Sequence, residues 1–185
     1  MTRIIAGSAK GSILQVPKSG TRPTSEKVRE ALFSRLVHRG YVEECRVLDL
    51  YAGSGAIGLE AASRGAASVV LVESNPAAAK IIQANARAAG LNVSVVKQSA
   101  ASYLSSLHSI EFDLAVLDPP YDVGEEELAL VLSLLASHLV SDALIVVERS
   151  KRSPEPIWPD GYELDDQRTW GDTCVWSATA MEADA

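Results

Sequence analysis

The chain has 185 residues, 47% of them hydrophobic and 22% charged, with a formal net charge of −7. That length suits one domain with a small appendage and is enough to bury a full core. No apolar run approaches the roughly 20 residues that cross a bilayer, MTRIIAGSAKG lacks the apolar centre of a secretory signal, and Cys45 and Cys174 stand outside any disulfide or zinc pattern, so a cytoplasmic protein without metal or membrane contact is expected.

The first 40 residues carry eight Lys and Arg against Glu26 and Glu30, a balance of +6, while the remainder carries −13. A basic arm on an acidic body is a footprint of nucleic-acid contact, because phosphates respond to local charge. A solvated basic helix would have the same composition. Within the arm, RIIAG and SILQV flank the turn-like SAKG and read as a small β-hairpin, and PKSGTRPT reads as a linker. Val28, Leu32 and Leu36 with Ala31 and Phe33 then predict a helix from Ser25 to Gly40. The expected division is a basic, RNA-contacting segment at 1–22, a main domain at 23–180 and a disordered tail at 181–185. Arg3, Lys10, Arg22, Lys27 and Arg29 are the candidate phosphate contacts.

Beyond Glu44 the periods alternate. Strand-like RVLDLY, SVVLVE, VSVVK, FDLAVLD and ALIVVE are separated by helical segments at Leu59 to Arg64, Ala77 to Ala89, Ala100 to Leu107 and Glu125 to Leu139. Such alternation predicts an α/β, doubly wound, mostly parallel sheet covered on both faces. YELDDQRTW and TCVWSAT, with only GD between them, predict a terminal antiparallel hairpin, a departure from the six-parallel-strand dinucleotide fold.

LDLYAGSGAIGLE places Gly53, Gly55 and Gly58 in G-x-G-x-x-G spacing between a strand and a helix, and Glu73 closes the next strand where an acid can accept from ribose hydroxyls. Two ligands compete for such a loop, NAD(P) and S-adenosylmethionine. Asp49, at the mouth of the first strand, favours the second: a carboxylate there repels a pyrophosphate and suits a ligand carrying an ammonium and a sulfonium. Asp49 also suits a structural acid bonding loop amides. Tyr51 and Ser54 in the loop and Ser74 after Glu73 complete this candidate set.

DPPY, Asp118 to Tyr121, ends the fourth strand. Pro119 and Pro120 restrict the path of the chain and so hold their neighbours in place. Asp118 and the Pro119 carbonyl can accept from the two N–H groups of an exocyclic base amine and aim its lone pair at a methyl donor, while Tyr121 can stack on a base drawn out of its helix or loop. The scattered cysteines speak against pyrimidine-carbon methylation, which needs a cysteine nucleophile.

RIIAG, RPTSEKVREALF, LDLYAGSGAIGLEAASRGA, VESN, FDLAVLDPPY and ALIVVE, in this order, resemble the bacterial guanine-N2 methyltransferases of 16S ribosomal RNA over most of the chain. The resemblance implies a seven-stranded class I methyltransferase fold, with Asp49, Gly53, Gly55 and Glu73 on S-adenosylmethionine, Ser99 and Ala100 near adenine, and Asp118 to Tyr121 on the target guanine. It also implies that Arg22 to Thr24 lie at the active-site mouth. The first hairpin departs from the family, keeping Lys10 but lacking the Trp and extra Arg that relatives often place there. Ser99 departs too, standing where many methyltransferases have an acid or amide. The expected activity is methyl transfer to guanine N2 by a monomer acting on 16S ribosomal RNA, free or in a small-subunit particle. The alternatives are adenine-N6 methylation, a nucleotide-binding module without chemistry, and an NAD-dependent oxidoreductase, the last disfavoured by Asp49 and the terminal hairpin.

Overall fold

The computed structural model describes residues 1–18, 24–109 and 111–182. In chain order the elements are β1 (Thr2–Arg3), β2 (Ile13–Leu14), α1 (Glu26–His38), β3 (Arg46–Leu50), α2 (Ala56–Ser63), β4 (Ser68–Val72), α3 (Pro76–Ala89), β5 (Ser94–Val96), α4 (Ala100–Ser106), β6 (Phe112–Leu117), α5 (Glu125–Ala136), β7 (Leu139–Ser150), β8 (Tyr162–Trp170) and β9 (Thr173–Ala180). β3 to β9 form one seven-stranded sheet in the order β5-β4-β3-β6-β7-β9-β8, antiparallel only where β9 joins β7 and β8. This is the class I methyltransferase architecture. The chain winds outward from β3 to β5 and then returns to add β6 on the other side of β3, so the order reverses between β3 and β6, where open α/β sheets bind ligands.

Apolar strands covered on both faces need two helical layers. Val47, Leu71, Leu114 and Val146 pack under α1, α2 and α3, and Leu48, Leu50, Leu117 and Val147 pack under α4 and α5. Local signals set the helix ends. Ser25 accepts from the Val28 amide to cap α1, and Asn75 caps α3 with Pro76 in the first turn. The expected helix from Glu125 to Leu139 ends earlier, at Ala136, because the His138 carbonyl accepts from the Phe112 amide and Leu139 is already paired in the sheet. The apolar run LSLLASHLV has no breaker to mark that handover.

The N-terminal hairpin is shorter and more embedded than its sequence predicts. Its strands are two residues each, and Ile4, Ala9 and Leu14 are buried against Ala56 and Leu59 of α2 and Ala86 of α3. Polar bonds fasten it as well: the Ile5 and Ala6 amides donate to the buried Glu60 carboxylate, the Ala9 amide donates to Ser63 Oγ, and the Asn85 side-chain amide accepts from the Gln15 N–H and donates to the Gln15 carbonyl. Residues 1–18 thus share buried contacts with α2 and α3. Of the expected tail, Met181 and Glu182 are exposed and residues 183–185 lie outside the described residues.

Candidate active site

The carboxyl ends of β3, β4, β6 and β7 open into a cleft of about 990 Å³, within the range of small-molecule sites. Its floor is the turn after β3. Tyr51 (φ 60°), Gly53 (φ 58°) and Gly55 (φ 82°) all adopt left-handed backbone there, which is uncommon for an aromatic residue and open to glycine. Tyr51, Gly53 and Ser54 line the cleft. Gly55 does not; a Cβ there would press on Ile82 at 3.0 Å, so its place is the helix start. At Gly58 a Cβ would come within 2.5 Å of Leu71, and its amide donates to Asp49 Oδ2 at 2.9 Å. The third glycine thus lets α2 lie close on the sheet and ties it to the acid of β3.

Glu73, just beyond β4, lines the same cleft and also shapes it. Its two carboxylate oxygens accept from the Gly53 and Asn75 amides, each at 2.8 Å, so the acid pins the glycine turn. Ser74, Ser99 and Ala100 line the far wall, but the Ser99 hydroxyl is committed to the start of α4, accepting from the Ser102 amide.

Across the switch point stand Asp118, Pro119, Pro120 and Tyr121. Pro119 is buried, Pro120 accepts from the Val123 amide in the turn that follows, and Tyr121 is 70% exposed, an uncovered aromatic face at the mouth. Thr24 Oγ1 lies 3.1 Å from Asp118 Oδ2 and 3.0 Å from Glu148 Oε2, joining the start of α1 to the ends of β6 and β7. Arg149 Nη2 donates to the Val123 carbonyl and to Glu125 Oε1, bracing the segment after DPPY. Glu148 and Arg149 escaped the sequence reading. The signal lay in ALIVVE itself, which ends in an acid that the parallel register of β6 and β7 sets level with Asp118.

Electrostatically the cleft is poised for a cation. Asp49 is 1% exposed, and burial, reinforced by the Asp118 and Glu73 carboxylates and opposed by the Gly58 amide, pushes its pKa up to about 8. Burial likewise raises Asp118 to about 6, against the Thr24 hydroxyl and the Arg149 charge. Tyr51 is pushed up to about 12 by burial first and Glu127 second, and its buried hydroxyl has no hydrogen-bond partner among the described residues. A pyrophosphate would oppose the ionisation of these acids, whereas a ligand carrying ammonium or sulfonium would favour their charged forms.

Four of the eight basic residues in the first 40, Arg3, Arg29, Arg35 and Arg39, are paired with acids in the fold. Arg29 is not a phosphate contact, and that expectation is corrected: it is fully buried, faces the equally buried Glu60 at 3.8 Å and donates to the Arg3 carbonyl. Arg35 and Arg39 pair with Asp166 and Asp165 of β8, and Arg3 pairs with Glu26. Lys10 and Lys18 are exposed, and Lys27 is exposed at the edge of the cleft. Arg22 lies outside the described residues. Among the described residues no group of His, Cys, Asp and Glu has metal-binding geometry, and no helix is long and apolar enough to cross a membrane.

Residues 2–179 match the model of the family described as conserved hypothetical protein 95. The chain is 37% identical over 174 residues to ribosomal RNA small subunit methyltransferase D of Escherichia coli K12, covering 91% of this chain and 85% of that protein. It is 35% identical over 174 residues to the Haemophilus influenzae protein of the same name, covering 91% and 89%. The solved structure of the Escherichia coli protein yhhF superposes with a TM-score of 0.86 at 32% identity, over 97% of this chain and 98% of that one.

Proposed function

This chain belongs to the family described as conserved hypothetical protein 95 and is a methyltransferase, and we propose that it transfers a methyl group from S-adenosylmethionine to the exocyclic N2 amine of a guanine in 16S ribosomal RNA. One observation carries the reading: a buried, cation-suited carboxylate, Asp49, and the DPPY acceptors share a single cleft at the switch point between β3 and β6. The names of the relatives, small-subunit ribosomal RNA methyltransferases, support the substrate class.

When bound, S-adenosylmethionine supplies an electrophilic methyl on a sulfonium. The chain supplies position and charge. Asp49 attracts the cationic end of the donor, and Glu73, already holding the turn through Gly53, offers its remaining lone pairs to ribose hydroxyls. Asp118 and the Pro119 carbonyl accept from the two N–H groups of the target amine, whose lone pair is otherwise delocalised into the ring, and turn it toward the methyl. Asp118, raised to about 6, also stands where the proton shed after alkylation can go. Tyr121 stacks on the extruded base, and the exposed Lys10, Lys18 and Lys27 meet phosphates. Positioning of this kind supplies most of the rate in a direct displacement. The protein acts as a monomer, on free RNA or on a small-subunit particle.

Tritiated methyl transfer onto 16S ribosomal RNA, free and in particles, followed by nucleoside analysis, tests the reading. N2-methylguanosine is expected; N6-methyladenosine, or no transfer to either substrate, refutes it. Glu73→Ala should weaken donor binding in calorimetry while Asp118→Ala spares it and abolishes transfer. Equal loss of donor affinity in both would show that the two halves of the site are misplaced.

A further inference from the structure

The parallel register of β6 and β7 pairs Leu117 with Val147, so the next residues, Asp118 and Glu148, emerge side by side at the mouth of the cleft. Asp49 pairs with Val116, two residues before Asp118, and so lies on the same face of the sheet. Thr24 Oγ1 is within 3.1 Å of Asp118 Oδ2 and 3.0 Å of Glu148 Oε2. A hydroxyl has a single proton, so it donates to one carboxylate at a time while holding both at hydrogen-bond distance from a common point. The result is a second carboxylate acceptor held beside Asp118, in addition to the Pro119 carbonyl.

Guanine presents two adjacent donors on its Watson–Crick edge, N1–H and N2–H. Adenine presents its amine beside a bare N1 lone pair. Asp118 can accept from the amine of either base, so DPPY alone does not distinguish them. We propose that Glu148, held by Thr24, accepts the N1–H of the target base and is the residue that selects guanine over adenine. This rests on the proposed guanine-N2 activity. A carboxylate facing the N1 lone pair of adenine meets repulsion where guanine offers it a donor, the kind of mismatch that discriminates strongly between otherwise similar bases.

The test uses 16S ribosomal RNA in which the guanine mapped as the methylation site is replaced by 2-aminopurine, which keeps the N2 amine but has a lone pair at N1. The ratio of kcat/KM for guanine over 2-aminopurine is measured for the wild type and for Glu148→Gln, whose amide can present either an oxygen or an N–H to position 1. Effects of the changed 6-position appear in both proteins and cancel in the cycle. Glu148→Gln should lower that ratio by roughly 10- to 100-fold, the usual worth of a charge-assisted or base-reading hydrogen bond. If Glu148→Gln does not fold, Thr24→Val, which removes the orienting hydroxyl and no charge, takes its place and should lower the same ratio. A variant that slows both bases by one common factor, or changes neither, overturns the inference and leaves Glu148 as a brace for Thr24. If the wild-type product is not N2-methylguanosine, the activity beneath the inference is overturned and the inference falls with it.

Discussion

Glu60→Ala should detach the N-terminal hairpin from the body of the protein. The Glu60 carboxylate is fully buried and accepts from the Ile5 amide at 2.8 Å, the Ala6 amide at 3.0 Å and Arg64 Nε at 2.8 Å, with Arg29 Nε 3.8 Å away. Arg29 is itself fully buried, and burial lowers its pKa while Glu60 opposes that shift. Truncating Glu60 leaves a guanidinium without its counter-charge, which costs about 3–5 kcal/mol for a buried pair broken on one side. Each of the two stranded hairpin amides adds about 1 kcal/mol or more unless water reaches it. The terms overlap, and a total of about 4–6 kcal/mol is expected, a large share of the roughly 5–15 kcal/mol that holds a domain together. Urea denaturation followed by tryptophan fluorescence reads the loss. Arg29→Met alone removes the charge but keeps much of the volume, so the double variant should recover at least about 2 kcal/mol relative to additivity. A loss below about 1 kcal/mol for Glu60→Ala, or strict additivity, would refute the view that this buried network fastens the hairpin.

Donor affinity should rise with pH toward about 8, because only ionised Asp49 attracts a cation and its pKa in the ligand-free cleft is about 8; calorimetry should show a proton released on binding, lost in Asp49→Asn, and a flat profile would sink the assignment. The same shift makes the ligand-free fold bind a proton that the unfolded chain, near 3.8, gives up, so this contribution to stability is complete below pH 4 and disappears as pH rises toward 8, which urea midpoints of the ligand-free protein should track. Gly7→Ala should destabilise by more than about 2 kcal/mol, since φ is +85° and a Cβ would sit 1.8 Å from the Ser63 carbonyl oxygen; an unchanged thermal midpoint would show that the turn can move aside. Removing residues 1–18 should lower the urea midpoint, because it uncovers Leu59, Ala86, Glu60 and Asn85; a truncated protein as stable as the full chain would show that the hairpin is the detachable arm its charge pattern suggests.

The alternation of apolar strands with helical periods, the G-x-G-x-x-G turn and the strand-end acids Asp49, Glu73 and Asp118 were legible in the sequence, because each is local: period, punctuation and position within a strand are written along the chain. The sheet that results carries those acids to one edge by its parallel register alone. What the chain could not display was how distant segments share charge. Eight basic residues in the first 40 look like a phosphate-binding arm, yet Arg29, Arg35 and Arg39 meet Glu60, Asp166 and Asp165 only when α1 packs against α2 and β8. Glu148 likewise acquired its place from the register of β6 with β7 and from Thr24, more than a hundred residues away in the chain. Composition counts charges, but a charge acts through its neighbours within a few ångströms, and for these residues tertiary packing alone decides who those neighbours are.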